Sequence, residues 1–181
     1  MTKSDQMNEL IAGCKKGEND SFAKLIDLYT PRLYGYFLRL TTNTDTAEEL
    51  LSRLFVKMVK IINSYEGGNF DAWLFKVASN VFYDHLRAKK HDKAIIESAQ
   101  NQLLSTPDQS QQVNPGTKNE IFDQLQLNLK KLDPDTTELI VSRYYSQLSF
   151  KEIAQKRGEP IGTTLSKVHR GLKKLRELME K

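Results

Sequence analysis

Residues 92–119 divide this chain more sharply than any other feature. The stretch is rich in Gln, Ser and Asn, carries Pro107, Pro115 and Gly116, and holds no sustained apolar period beyond Leu104. Such a composition cannot bury enough apolar surface to offset its ordering entropy, so it reads as a flexible linker. What lies on either side must fold separately: residues 1–91 as one unit and 120–181 as another. Both flanks repeat apolar residues at helical spacing, and neither alternates with period two for long enough to argue a strand. The expected fold class is therefore all-α, two helical domains joined by a linker. No internal repeat is apparent.

In the first unit, Phe22, Leu25, Ile26, Tyr29, Leu33, Tyr36, Phe37 and Leu40 share a helical face, with Pro31 placed to kink it. Asp45, followed three residues later by Glu48, resembles a capping box for a second helix through Ala47, Leu50, Leu51, Leu54, Met58 and Ile61. Gly67 and Gly68 break the pattern, and Asn69 is suited to cap a third helix ending near Lys90. One face of that helix, Leu74, Val77, Ala78 and Val81, reads as core. Another, Trp73, Lys76, Asn80, Tyr83 and Arg87, mixes rings, an amide and cations at steps of three and four. Such a face suits unpaired nucleic acid, because rings stack on bases and cations meet phosphates. On these residues alone, the simpler account is that Trp73 and Tyr83 plug the bundle from its edge, since aromatics usually pack.

The second unit is punctuated more clearly. Phe122, Leu125, Leu129 and Leu132 mark one helix, and Asp133 before Pro134 marks the start of the next, through Leu139, Ile140 and Tyr144. Ser149 and Glu152 form a capping box for a short helix through Ile153 and Ala154. Gly158 supplies a turn, and Pro160 opens a last helix with an apolar stripe at Ile161, Leu165, Val168, Leu172, Leu175 and Met179. The opposite stripe holds Thr163, Lys167, Arg170 and Lys174. Short helix, glycine turn and second helix with a basic outer face make a helix-turn-helix, with Thr163, Ser166, Lys167 and Arg170 placed for bases or phosphates. Charge supports this: residues 151–181 carry nine basic and four acidic residues, whereas the whole chain is only +4.

These motifs resemble the sigma-70 family of RNA polymerase sigma factors, in its extracytoplasmic-function group. Residues 45–50 (DTAEEL), with Phe55 and Lys57, resemble the family's core-polymerase-binding helix. Residues 69–80 (NFDAWLFKVASN) and 84–87 (DHLR) resemble its promoter-melting segment, and residues 148–154 and 162–167 its second promoter-reading domain. The resemblance implies core polymerase binding through Asp45, Glu48, Glu49, Leu50, Phe55 and Lys57. It implies −10 element contacts by Phe70, Trp73, Lys76, Asn80, Tyr83 and Arg87, and −35 contacts by Thr163, Thr164, Ser166, Lys167, Arg170 and Lys174. The implied partners are bacterial core RNA polymerase, promoter DNA and an anti-sigma factor. Ser52, Arg53, Arg157, Glu159 and Thr164 depart from the family pattern. A free-standing helix-turn-helix regulator and a partner-titrating protein are the competing classes.

Other features carry less. Cys14 has no second cysteine, so no intramolecular disulfide forms, and no activating cation pattern surrounds it. His85, His91 and His169 lack metal-ligand spacing, and no phosphate loop or nucleophile motif occurs. Neither an enzyme, a cofactor nor a metal is expected. No apolar run reaches the length of a membrane span and residues 1–10 have no leader pattern, so a cytoplasmic protein without membrane insertion is expected.

Overall fold

A computed structural model of the chain describes residues 3–100 and 120–180. The elements are helical: α1 (Lys3–Lys15), α2 (Asn19–Thr41), α3 (Thr44–Ile61), a 3₁₀ turn (Ile62–Ser64) and α4 (Phe70–Gln100), then α5 (Glu120–Leu129), α6 (Pro134–Ser146), α7 (Phe150–Arg157) and α8 (Ile161–Met179). No strand occurs among the described residues. The first core is built by the periodic faces read from the sequence. Leu25, Leu33, Tyr36 and Phe37 of α2, Ala47, Leu50 and Leu54 of α3, and Leu74, Phe75 and Ala78 of α4 are fully buried. Pro31 sits inside α2 without ending it.

Local starts and stops follow the expected chemistry, with two adjustments. Asn69 Oδ1 accepts from Ala72 N–H, Asp133 caps α6 through Thr136 N–H, and Ser149 and Glu152 form a complete capping box. The cap of α3 is Asn43, not Asp45: its Oδ1 accepts from Thr46 N–H at 2.8 Å, leaving Asp45 in the first turn. Pro160 takes the cap position of α8 rather than its first helical residue. Gly158 ends α7 at φ +66°, a left-handed conformation that only a residue without Cβ adopts at little cost.

Two expectations need larger correction. The third helix does not end near Lys90 but runs to Gln100, taking in residues 92–100 of the expected linker. That stretch has Ala, Lys and Glu and no Gly or Pro, so helix propensity carries the helix on. The rest of the expected linker, 101–119, lies outside the described residues. Of the apolar stripe of α8, only Val168 and Leu175 join the buried core. Ile161, Leu165 and Leu172 remain 47%, 43% and 48% exposed, while Thr164, Val168, Gly171 and Leu175 are buried. The cause is steric. A Cβ on Gly171 would lie 2.4 Å from Thr136 Cγ2, so the bare glycine brings α8 down onto α6 along a small-residue face.

The two units also pack on each other. Val141 of α6 belongs to the N-terminal core cluster, and Ala72 of α4 packs against the C-terminal cluster of Leu139, Leu148, Ile153 and Val168.

Candidate nucleic-acid interface

The α4 face begins inside the core. Phe70 is buried, stacks on Trp73 with ring centroids 5.4 Å apart, and meets Tyr29 and Tyr65 edge-on. Trp73 is half-buried and packs against this cluster. The bundle-plugging reading therefore holds for one side of Trp73, and Phe70 beneath it is a core residue. Lys76 and Asn80, one and two turns on, are exposed, and so is Arg87, which pairs with Asp84. Tyr83 is half-buried and donates its hydroxyl to Asp135 Oδ1 of α6 at 3.1 Å. Burial and the nearby Glu138 and Asp135 carboxylates push its phenol well above the ordinary tyrosine value.

On α8, Thr163, Ser166, Arg170 and Lys174 are exposed on a shared face, adjoining the Gly158 turn. Arg170 Nε donates to Ser166 O at 3.3 Å, which lays the guanidinium stem along the helix. Lys167 differs. Its ammonium lies 2.7 Å from Glu159 Oε2 and 3.1 Å from Asp135 Oδ2, and these hydrogen bonds raise its pKa. Thr164 faces inward, wholly buried, and donates to Glu159 Oε1 at 2.8 Å, so it does not reach DNA.

Three of the residues that depart from the family pattern thus join one network. Arg157 donates to Asp135, to Glu138 Oε2 at 2.6 Å and to Glu159 Oε1 at 3.2 Å, and Glu159 in turn accepts from Thr164. Glu138 is 0% exposed and accepts from Tyr36, Ser79 and Lys156 as well. Burial presses the Lys156 ammonium below its ordinary value despite Glu138. Burial opposes the Arg157 charge too, but Glu138 and Asp135 outweigh it and its pKa rises. Burial would lift the Asp135 and Glu159 carboxyls. The hydrogen bonds from Arg157 and Lys167 to Asp135, and from Lys167 and Thr164 to Glu159, prevail and hold both below the usual range.

The α3 residues form a separate surface. Asp45, Glu48 and Glu49 are exposed, with Arg53 paired to Glu49 at 2.5 Å. Leu50 is wholly buried, Phe55 is half-buried against the core, and Lys57 lies 3.7 Å from Asp84. Val56 and Val59, 57% and 46% exposed, continue the outer face of α3 and were not singled out from sequence. The helical spacing 45, 49, 52, 56, 59 is the signal that places them there. Glu138, Arg32 and Gly35 were also missed. The steps of four from Glu138 to Ser142 to Ser146 set a polar stripe beside Leu139, which marks α6 as having two buried faces.

The comparisons cover both units. Residues 25–91 match sigma-70 region 2 and residues 128–177 match sigma-70 region 4. RNA polymerase sigma factor CarQ of Myxococcus xanthus is 33% identical over 168 residues, 91% of this chain and 92% of that one. The sigma factor SigW of Bacillus subtilis is 30% identical over 90% of this chain and 91% of its own length. Among solved structures, the sigma factor RpoE of Bartonella quintana, in complex with the anti-sigma factor NepR, superposes with a TM-score of 0.71 at 25% identity, covering 88% of this chain and 96% of that chain. CnrH, in complex with the cytosolic domain of CnrY, shares the fold with a TM-score of 0.67 at 19% identity, over 94% and 95% of the two chains.

A sigma-70 region 2 unit and a region 4 unit with a helix-turn-helix on one chain define a promoter-specificity subunit of RNA polymerase. The chain belongs to the extracytoplasmic-function group of the sigma-70 family, as an alternative sigma factor that directs transcription from promoters. No helix among the described residues is long and apolar enough to cross a membrane.

Proposed function

We propose that the two units divide promoter recognition, residues 1–91 docking on core polymerase and opening the −10 element and residues 120–181 reading the −35 element. The observation that carries this is the exposed row Thr163, Ser166, Arg170 and Lys174 on the second helix of a helix-turn-helix. Cations and hydroxyls there meet phosphates and base edges of a duplex major groove. On α4, Lys76, Asn80 and Arg87 offer charge and hydrogen bonds beside the half-buried ring of Trp73, a platform for an unstacked base of the non-template strand. Phe70 supports that platform from below, and Thr164 supports the −35 helix from inside.

Docking on core polymerase falls to the outer face of α3. Asp45, Glu48 and Glu49 present negative charge, tempered at Glu49 by Arg53, and Val56 and Val59 add apolar area. Leu50 holds the helix in place, and Lys57 is braced by Asp84. Neither reading face alone needs high affinity. Phosphate contacts are sequence-blind, and a net charge of +4 supplies few of them; attachment to polymerase raises the effective concentration of both faces. The chemistry of transcription belongs to the polymerase, and the site of action is the cytoplasm. An anti-sigma partner is supported by the Bartonella quintana relative, described with NepR bound.

Run-off transcription with core polymerase over a fragmented genomic library tests the reading. Arg170→Ala should weaken initiation according to the upstream element, and Lys76→Ala should slow opening with upstream duplex contact preserved. Equal loss at both steps from each substitution overturns the division of labour.

A further inference from the structure

We infer that Lys167 is a positioning residue of the promoter-reading helix rather than a DNA contact. By bridging Glu159 in the turn and Asp135 of α6, it sets the angle at which α8 presents Thr163, Ser166 and Arg170 to the duplex. The inference rests on the −35 reading proposed above. Among Thr163, Ser166, Lys167, Arg170 and Lys174, Lys167 alone is not exposed.

The start of α8 needs such a device. Pro160 stands at its cap without a side-chain hydrogen bond, and the first turn carries no acidic residue. Glu159, one residue earlier, does the holding. Its Oε1 accepts from the Thr164 hydroxyl at 2.8 Å and from Arg157 Nε at 3.2 Å. Its Oε2 accepts from Lys167 at 2.7 Å. Lys167 also donates to Asp135 Oδ2 at 3.1 Å, so one ammonium joins α6, the turn and the second turn of α8. Asp135 Oδ1 is taken by Arg157 and Tyr83. Hydrogen bonds to Glu159 and Asp135 raise the Lys167 pKa above its ordinary value. Contact with DNA would trade two carboxylates for one phosphate, so the ammonium stays on the protein.

The charges around it agree. Asp135, Glu138 and Glu159 bring three negative charges to the cluster, and Lys156, Arg157 and Lys167 bring three positive ones. Without the Lys167 ammonium, the cluster keeps one negative charge in excess next to the reading helix. The bridge therefore braces α8 and keeps its support electrically neutral toward incoming phosphates.

Lys167→Met keeps the aliphatic stem and removes the bridge. Combined with Glu159→Gln it also keeps the net charge of the chain, since one positive and one negative charge go together, and the new amide oxygen still accepts from Thr164. Full-length variants are joined to core polymerase and titrated on a promoter found by run-off. Its −35 base pairs are changed one at a time, a salt series is taken, and circular dichroism checks the helices. Lys167→Met should weaken binding about tenfold, with preference weakened at several −35 base pairs at once. The double variant should lose no more than Lys167→Met and should keep the unsubstituted chain's slope of log K against log salt. A slope lower by about 1 in the double variant overturns the inference, because Lys167 is then a phosphate contact. A preference lost at one base pair alone overturns it by making Lys167 a base reader. Unchanged affinity of Lys167→Met, or single losses that multiply in the double variant, overturns it as well. If Arg170→Ala alters neither the slope nor the dependence on the −35 element, the −35 reading itself falls, and the role of Lys167 falls with it.

Discussion

Tyr36 and Glu138, which stand 102 residues apart in the chain, meet at 2.8 Å with both side chains fully buried. The hydroxyl is one of four donors on a carboxylate that water does not reach; the others are Ser79, Lys156 and Arg157. Removing one donor leaves three, so Tyr36→Phe should lower stability by about 1.5–3 kcal/mol, the range for a hydrogen bond to a charged group. Glu138→Ala should cost more, about 3–5 kcal/mol, because it leaves the buried Lys156 without its carboxylate and takes one of three carboxylates from Arg157. Urea denaturation of the three chains at neutral pH checks the order. Equal losses would mean that Lys156 finds water or another carboxylate once Glu138 is gone.

The α4 face mixes residues that support the fold with residues that are free to act, and the two kinds should separate in measurement. Phe70→Ala should destabilise by about 3–5 kcal/mol, since it empties a site between Tyr29, Tyr65 and Trp73. Lys76→Ala and Asn80→Ala, both exposed, should change stability by less than about 0.5 kcal/mol and slow promoter opening. Thermal melts paired with permanganate footprinting of the opened region resolve the two effects.

Arg170 and Lys174 are exposed, whereas Lys167 is engaged by Asp135 and Glu159. Arg170→Ala and Lys174→Ala should each reduce the slope of log K against log salt for promoter binding by polymerase holoenzyme by about 1. Lys167→Ala should reduce it less, because binding DNA through Lys167 first requires giving up two protein carboxylates. A filter-binding salt series on one promoter measures all three.

The Asp135 and Glu159 pair should make the chain acid-sensitive. Their ordinary values are 3.8 and 4.5, and both are held lower in the folded chain, so the unfolded state binds protons first as pH falls. Their contribution is complete above about pH 5 and is lost progressively below about pH 4, toward the depressed values. Melting temperature from pH 7 to pH 3 should fall, and Asp135→Asn should flatten the fall while lowering the neutral-pH value.

Gly158 closes the turn between α7 and α8 at φ +66° with open space around its Cα. Gly158→Ala meets no neighbour, so its cost is the left-handed backbone alone, about 1 kcal/mol or slightly more. Gly171→Ala, by contrast, collides with Thr136 and Ile140 and should cost more while also shifting the angle at which α8 is presented. Differential scanning calorimetry of both variants separates conformational strain from collision.

Much of the molecule was legible in the residue order. The helices, the caps at Asn69, Asp133 and Ser149, the left-handed Gly158 and the first core follow from spacing and from local hydrogen bonding, whose partners lie within a few residues. So did the basic row of α8, because a helix face is fixed by periods of three and four. What the sequence could not decide were the relations between distant segments. Periodicity put Ile161, Leu165 and Leu172 in the core, but the close approach allowed by Gly171 buried Thr164 and Gly171 instead. Arg157, Glu159 and Thr164 looked like isolated departures until Glu138 and Asp135 of α6 were brought beside them. That Tyr83 and Lys167 share one carboxylate depends on three helices meeting at a point. Local chemistry determined the elements; the packing of small residues and the burial of charge, which depend on what comes near in space, decided which faces are open.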